Sequence, residues 1–307
     1  MTLSSAMHDV LIVGAGPAGL TAAIYLSRFH LSVAVIDAGD SRAALIPRTR
    51  NHPGYPGGVR GTELLQRMRL QASEFGVQIH SGVVERLERD GEAFVGSLVD
   101  GQVRARSVLL ATGVVNNRPR MRDDLHHEAL ERGLIRYCPI CDGYEVTDRR
   151  VGVIGTQTHG YKEAVFLRMY SRDVTLVAPN AGHALGIGER RHLGELGVVL
   201  VDGPCDPLEL AEASILVSTP SGLLTFDTIY PALGSVIRSE LAISLGAEAT
   251  EDGCLVIDPH QRTTVAGLYA AGDVAKGLDQ ISHAMGEAAV AATAIRNDLA
   301  TRRDLAR

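Results

Sequence analysis

Cys138 and Cys141 have a spacing suited to redox chemistry and lie within the segment YCPICDGYE. A zinc site normally needs four ligands, yet Cys205 and Cys254 stand alone and no spaced histidine pair lies near them. We therefore predict no metal site. A redox dithiol fits the spacing better than a structural disulfide, because two intervening residues let a small ring open and close.

A glycine loop near the start of the chain indicates where a cofactor binds. The apolar run 10–13 leads into GAGPAG at 14–19, which opens a helical stretch, and a second apolar run ends in Asp37. The first two glycines allow a tight turn and close approach of a pyrophosphate, and the third allows the helix to pack on the strand. The Asp37 carboxylate can accept hydrogen bonds from a ribose. The predicted dinucleotide site comprises Gly14, Gly16, Pro17, Ala18, Gly19 and Asp37.

A second strand, glycine turn and helix begin near Arg150, in VGVIGTQTHGYKEAVFL. Each of the two units is a βαβ pattern, which implies a parallel sheet with a right-handed crossover. They are separated by about half the chain, so we predict an α/β protein with two Rossmann-like, three-layer dinucleotide-binding domains. The polar stretch 114–124 and the segment 237–245 are the predicted crossings between them.

Length, composition and charge are those of an ordinary globular protein. The 307 residues allow two domains, 45% of them are hydrophobic, and a net charge of −6 is spread along the chain. We therefore expect no nucleic-acid partner. No apolar run reaches the length of a membrane span and the first residues lack the order of a signal peptide, so we expect no membrane association and a cytoplasmic location.

Five motifs follow one another in the order typical of the low-molecular-weight thioredoxin reductases, which the chain resembles over nearly its whole length. They are GAGPAG at 14–19, NHPG at 51–54, ATG at 111–113, the CxxC-Asp at 138–142 and Gly272-Asp273. The resemblance implies FAD in the first site and a homodimer formed through the flavin domain. It also implies an FAD-binding domain of residues 1–117 and 244–307. The inserted residues 118–243 would form an NAD(P)H-like domain that carries the cysteines.

The resemblance implies roles for the residues of the cysteine motif. Cys141 would lie against the flavin, Cys138 would attack the partner disulfide, and Asp142 would be the general acid. The residues alone leave a second role open for Asp142, that of an aspartate capping a turn.

The resemblance also implies which residues meet the flavin. Gly272 and Asp273 would hold the ribityl-phosphate region, and the start of the last helix would meet the isoalloxazine ring. A helix N-terminus there favours negative charge on reduced flavin. The residues implied in this way are Asn51, Ala111, Thr112, Gly113, Gly272, Asp273, Gln280 and Ile281.

Three departures from the family pattern affect NADPH. Gln157 stands where the family has the middle glycine of its second loop, and its side chain would obstruct a pyrophosphate. The second strand of this unit ends at Ala178-Pro-Asn180, without the arginines that pair with a 2′-phosphate. Asp279 stands where the family usually has an arginine. Our hypothesis is weak or no NADPH binding, with the alternative that an unusual loop still binds nicotinamide.

The resemblance extends to branches of this family that lack NADPH motifs. One contains deeply rooted and ferredoxin-linked reductases, and the other contains dithiol oxidases that pass electrons to oxygen. We expect an FAD-dependent thiol–disulfide oxidoreductase acting on thioredoxin or a similar dithiol. Its electron donor would be ferredoxin or another flavoprotein, or the reaction would run in reverse, with a dithiol reducing the flavin. The alternatives are an oxygen-dependent dithiol oxidase and a non-catalytic flavin redox sensor.

The role of four arginines has two interpretations. They form either a docking surface for an acidic partner or solvated charges on loops, and we favour the second interpretation. The four are Arg118, Arg120, Arg122 and Arg136.

Overall fold

A computed structural model describes residues 6–306, and its main elements are two mainly parallel sheets with helices packed on them. The strands are β1 (Met7–Val13), β2 (Val33–Asp37), β3 (Ile79–Ser81), β4 (Arg86–Asp90), β5 (Ala93–Leu98), β6 (Gly101–Leu110), β7 (Val114–Asn116), β8 (Val151–Gly155), β9 (Val174–Val177), β10 (Val199–Val201), β11 (Glu209–Leu210), β12 (Ile215–Thr219), β13 (Gly222–Phe226), β14 (Thr228–Ala232), β15 (Ser235–Ile237) and β16 (Leu268–Ala270). The helices are α1 (Pro17–Arg28), α2 (Gly61–Glu74), α3 (Asp123–Glu131), α4 (Pro139–Asp142), α5 (Gln157–Leu167), α6 (Ile187–Glu195), α7 (Glu240–Ile243) and α8 (Ile281–Ala300). Two short 3₁₀ helices span Arg42–Leu45 and Gly143–Val146.

The first sheet has the order β3-β2-β1-β6, all parallel, and β16 pairs with the end of β6. The antiparallel strands β5 and β4 extend it beside β6. Successive residues of β1 point to opposite faces, so Val10 and Ile12 pack with α1, α2 and α8, whereas Leu11 and Val13 pack on the other side. Packing on both sides explains why β1 is apolar at every position from Val10 to Val13, as expected for a strand covered on both faces.

The second sheet has the order β10-β9-β8-β14 and is also parallel. One face is covered by α5 and α6, through buried residues such as Leu167 and Leu193. The other face packs against α3 and the small antiparallel sheet β11-β12-β13. The predicted strand, glycine turn and helix are therefore present in this part as well.

Two chain segments connect the two sheets. Strand β7 leaves the first sheet and β15 returns to it, and the two pair antiparallel with Val115 opposite Val236. The chain then adds β16 and α8 to the first sheet, so the second unit is inserted within the first. The predicted α/β class with two Rossmann-like units is confirmed, while the limits 1–117 with 244–307 and 118–243 stay a prediction. Between residues 6 and 306, no helix is long and apolar enough to cross a membrane.

Candidate active site

Cys138 and Cys141 form a disulfide, with their Cα atoms 5.2 Å apart. They bracket the first turn of the short helix α4, in which Cys138 is the N-cap and Pro139 takes the first helical position. The Cys138 Sγ accepts a hydrogen bond from the backbone N–H of Cys141 at 3.2 Å. The pair is half-buried, and the exposed Ile140 lies between them on the surface. The cysteines are thus paired as a redox dithiol requires.

A cavity of about 780 Å³ joins the first glycine loop to this disulfide. Of the predicted site residues, Gly19 alone is absent from its wall, since it lies inside the α1–β1 packing, where an added Cβ would come within 1.9 Å of the Gly14 carbonyl oxygen. The others all line the cavity: Gly14, Gly16, Pro17, Ala18, Asp37, Asn51, Ala111, Thr112, Gly113, Cys138, Cys141, Asp142, Gly272, Asp273, Gln280 and Ile281. The structure therefore brings together residues that are up to 267 positions apart, from Gly14 to Ile281.

The glycine loop is held against the end of β6. Gly14 has a φ of 101°, and a Cβ there would lie 2.4 Å from the Ala111 carbonyl oxygen. Gly16 is the N-cap of α1 and provides no side chain to satisfy the first N–H groups of that helix. These free donors and the positive end of the helix dipole suit an anionic phosphate group.

Asp37 is fixed at the end of β2 by two partners. Its Oδ1 accepts the backbone N–H of Ala15 at 2.9 Å, and its Oδ2 pairs with Arg69 of α2 at 2.8 Å. The side chain is 9% exposed. The carboxylate thus both braces the glycine loop and borders the cavity, and Arg69 is a supporting residue that the sequence did not reveal.

Gln280 connects the disulfide to the start of α8. Its Nε2 lies 3.3 Å from the Sγ of Cys138 and 3.3 Å from that of Cys141. Its Oε1 accepts a hydrogen bond from Asn51 Nδ2 at 2.9 Å, and the same Nδ2 lies 3.3 Å from the Ile140 carbonyl oxygen. Asn51 and Gln280, both predicted to meet the flavin, therefore also contact the cysteine segment.

Arg42 bridges two aspartates on the wall of the cavity. Its Nη1 lies 2.9 Å from Asp273 Oδ2 and 2.8 Å from Asp279 Oδ2. Burial raises the pKa of the Asp273 carboxyl, Asp279 raises it further, and Arg42 opposes both effects. Asp279, which the sequence marked as a departure from the family pattern, thus has a cationic partner that sequence reasoning missed.

Asp142 is held by an arginine and a tyrosine. Its Oδ2 pairs with Arg136 Nη1 at 3.0 Å, and its Oδ1 accepts from the Tyr230 hydroxyl at 2.8 Å. Burial raises the pKa of Asp142, while Arg136 and Tyr230 oppose that rise by stabilising the carboxylate. The side chain makes no capping bond to the 3₁₀ turn that it precedes. The cap interpretation therefore lacks its hydrogen bond, and Asp142 borders the redox pair with both oxygens engaged.

The four arginines of uncertain role all have partners. Arg118 lies 3.5 Å from Asp123, Arg122 pairs with Asp124, and Arg136 pairs with Asp142. Arg120 donates to the carbonyl oxygen of Cys205. Arg136 in particular is neither a solvated loop charge nor a free docking residue, since it belongs to the environment of Asp142.

The second glycine loop differs from the first. Gln157 is exposed at the start of α5 with a left-handed φ of 53°. At the carboxyl ends of β8, β9 and β14 the structure has a cavity of about 100 Å³, bordered among others by Ile154, Asn180 and Leu233. Residues 155–160 of the second loop are not among the residues that border this cavity.

The chain resembles known proteins over nearly its full length. Residues 8–288 match the family described as pyridine nucleotide-disulphide oxidoreductase. Thioredoxin reductase from Aquifex aeolicus (strain VF5) is 30% identical over 279 residues, which cover 87% of this chain and 85% of that protein. The structure of thioredoxin reductase from Streptococcus pyogenes MGAS5005 has a TM-score of 0.88 and 27% identity, covering 97% of this chain and all of that one. The structure of HlmI has a TM-score of 0.88 and 29% identity, covering 98% of this chain and 95% of that one.

These similarities confirm the resemblance that the motifs indicated, and the matched segment contains the first glycine loop, both cysteines and the start of α8. The chain belongs to the pyridine nucleotide-disulphide oxidoreductase family.

Proposed function

We propose that the protein is an FAD-dependent thiol–disulfide oxidoreductase of the thioredoxin reductase type. The observation that carries this proposal is the single cavity that has the first glycine loop on one wall and the Cys138–Cys141 disulfide on another. A dinucleotide bound along that wall would place its reactive ring beside the sulfur atoms.

The residues of the cavity fit FAD. The uncapped start of α1 suits the pyrophosphate, Asp37 suits a ribose, and the Arg42–Asp273 pair borders the predicted ribityl-phosphate region. Bound FAD would supply a carrier able to take up or release two electrons. Gln280 and Asn51 would separate this carrier from solvent and hold the disulfide next to it.

The cysteines exchange electrons with a partner through a mixed disulfide. The Cys138 thiolate attacks a partner disulfide and releases one partner thiolate, which takes a proton. The Cys141 thiolate then attacks Cys138, forming the protein disulfide and releasing the second partner thiol. The partner gains two electrons and two protons, and the protein dithiol loses them. Asp142, beside the exchanging sulfurs, is our proposed proton donor and acceptor.

We propose thioredoxin or a similar dithiol protein as the partner. Related chains with the name thioredoxin reductase support this proposal, and Ile140, 49% exposed, offers an apolar contact beside the disulfide. A homodimer formed through domain 1–117 with 244–307 belongs to the same proposal, and light scattering on the purified protein tests it.

NADPH is a poor electron donor in our proposal. The Gln157 side chain would obstruct a pyrophosphate, and the sequence Ala178-Pro-Asn180 lacks the positive charges that a 2′-phosphorylated dinucleotide needs. Ferredoxin or another flavoprotein would then reduce the flavin, or a dithiol would do so in the reverse direction.

An anaerobic reduction screen tests both parts of the proposal. The flavin spectrum is followed after addition of NADPH, NADH, reduced ferredoxin or a dithiol, in the wild type and in Cys141→Ser. We expect slow or no bleaching by NADPH and dithiol-dependent bleaching that the variant loses. Rapid stoichiometric bleaching by NADPH would refute the donor part, and equal bleaching of both proteins by the dithiol would refute the role of the cysteines. Hydrogen peroxide formed from a dithiol in air would instead identify a dithiol oxidase.

A further inference from the structure

The residues that flank the cysteine motif are joined by an ion pair. Arg136 lies two positions before Cys138 and Asp142 directly follows Cys141, and the Nη1–Oδ2 distance between the two side chains is 3.0 Å. The pair therefore closes the same loop that the disulfide closes. It is partly shielded, since the two side chains are 21% and 20% exposed.

Both ends of this loop are also tied to strand β14. The hydroxyl of Tyr230, a fully buried residue of that strand, donates to Asp142 Oδ1 at 2.8 Å. The backbone N–H of Arg136 donates to the carbonyl oxygen of Ile229 at 3.0 Å. The Nε of Arg136 is buried with no partner among the residues that the structure describes, so Asp142 is the acceptor that orients the guanidinium.

We propose that Arg136 and Tyr230 are positioning residues for the redox step, and that with Asp142 they form a clamp that keeps the two thiols within bonding distance when the disulfide is reduced. This inference rests on the proposed thiol–disulfide function. It concerns the protein's own dithiol and is independent of which partner or electron donor is used.

The direction of the effect follows from the geometry. The clamp and the disulfide each close the loop 136–142, so each lowers the conformational cost of forming the other. Without the clamp, the reduced segment gains open conformations and the disulfide becomes harder to form. The protein dithiol is therefore favoured when the clamp is removed.

Equilibration with glutathione measures this effect. The full chain with bound FAD is held anaerobically in buffers of reduced and oxidised glutathione, quenched in acid and alkylated, and the Cys138–Cys141 peptide is quantified. In this exchange, oxidised glutathione takes up the two electrons and two protons that the protein dithiol releases. Tyr230→Phe keeps the buried ring and removes the hydroxyl, whereas Arg136→Met removes the charge and the ion pair.

We expect both variants to shift the equilibrium toward the dithiol. For Arg136→Met the expected shift is about tenfold, which corresponds to about 30 mV for a two-electron couple. A smaller shift in the same direction is expected for Tyr230→Phe, because that variant loses one hydrogen bond to Asp142 but keeps the ion pair with Arg136.

The chain offers a matched control in the flavin-binding part. The buried Tyr269 donates to Asp298 at 2.5 Å, and Arg262 pairs with the same carboxylate at 2.7 Å. Asp298 is eighteen residues beyond Gln280 on α8, about 27 Å along the helix from the disulfide contact. Tyr269→Phe and Arg262→Met should therefore lower the melting temperature without moving the thiol equilibrium.

Each outcome of the titration has a distinct meaning. Unchanged equilibria in Arg136→Met and Tyr230→Phe would overturn the clamp. A shift toward the disulfide in Arg136→Met, with none in Tyr230→Phe, would also overturn it, because the arginine would then act through its charge on a thiolate. Cysteines that fail to titrate in the wild type would instead reject the proposed thiol–disulfide function itself.

Discussion

Glu163 on α5 is a partly buried carboxyl whose ionisation is coupled to folding. Burial, followed by the negative charge of Asp142, raises its pKa from an ordinary 4.5 to about 7. Glutamine has nearly the same shape and carries no charge, so Glu163→Gln isolates the electrostatic cost of this position. We expect the variant to be more stable than the wild type above pH 7 and equally stable at pH 4.

The sign follows from proton binding. Between pH 4.5 and 7 the folded protein keeps a proton on Glu163 that the unfolded chain has released, so stability falls as the pH rises through this window. Above pH 7 the loss is complete. A rise in pKa from 4.5 to about 7 corresponds to about 3 kcal/mol at 1.36 kcal/mol per pH unit. Solvent screening at a partly exposed group reduces this value, so we expect about 1–3 kcal/mol at pH 8.

Thermal unfolding of the flavin-loaded protein at pH 4 and pH 8, followed by circular dichroism, measures the effect. The melting temperature of Glu163→Gln should exceed that of the wild type by several degrees at pH 8 and match it at pH 4. Glu195→Gln, at an exposed position on α6, removes the same charge without burial and serves as the control. An equal difference at both pH values, or a less stable variant at pH 8, would refute the reasoning.

Two further pairs of substitutions test the cavity and the cysteines. Gly14→Ala should lose at least tenfold in FAD affinity, measured by flavin fluorescence, because a Cβ there meets the Ala111 carbonyl oxygen at 2.4 Å and φ is 101°. Gly39→Ala has a similar φ of 87° but open space, so it should cost about 1 kcal/mol of stability and leave FAD affinity unchanged. Cys141→Ser should trap a mixed disulfide between Cys138 and oxidised thioredoxin, visible by mass spectrometry, and Cys138→Ser should not; equal trapping by both variants would contradict the assigned roles.

The parts of the site that could be predicted are those specified by residues close together in the sequence. The turn between β1 and α1 depends on glycines within six positions, and the cysteine motif on four positions, so a local pattern is sufficient to predict each. The first predicted crossing, 114–124, contains β7 at 114–116, whereas the returning strand β15 at 235–237 meets the second predicted crossing, 237–245, only at Ile237. Strong local patterns of this kind specify the element and its chemistry together.

The side chains that support the site residues could not be predicted from the sequence, because each of them contacts a distant segment of the chain. Arg42 and its partner Asp279 are 237 positions apart, and Tyr230 follows Asp142 by 88. Such contacts depend on how the two sheets are joined, which one sequence without an alignment does not specify. The exception is the ion pair between Arg136 and Asp142. These residues carry opposite charges and flank the cysteine pair only six positions apart, so the sequence alone contained a signal for this contact.

The second glycine loop keeps the glycines that helix–strand packing requires and lacks the glycine that dinucleotide binding requires. Gly155 and Gly160 pack against each other, and a Cβ on Gly155 would also come within 2.9 Å of the Ala232 side chain. These glycines are needed for helix–strand packing whether or not a ligand binds. Gln157 takes the position at which Gly16 leaves the first loop open to the cavity, and it does so in a left-handed conformation that costs about 1–2 kcal/mol. Gly155 and Gly160, which the packing needs, are present, and they predict the fold of the second unit. The glycine that dinucleotide binding needs is replaced by Gln157. This replacement favours an electron donor that does not use this loop.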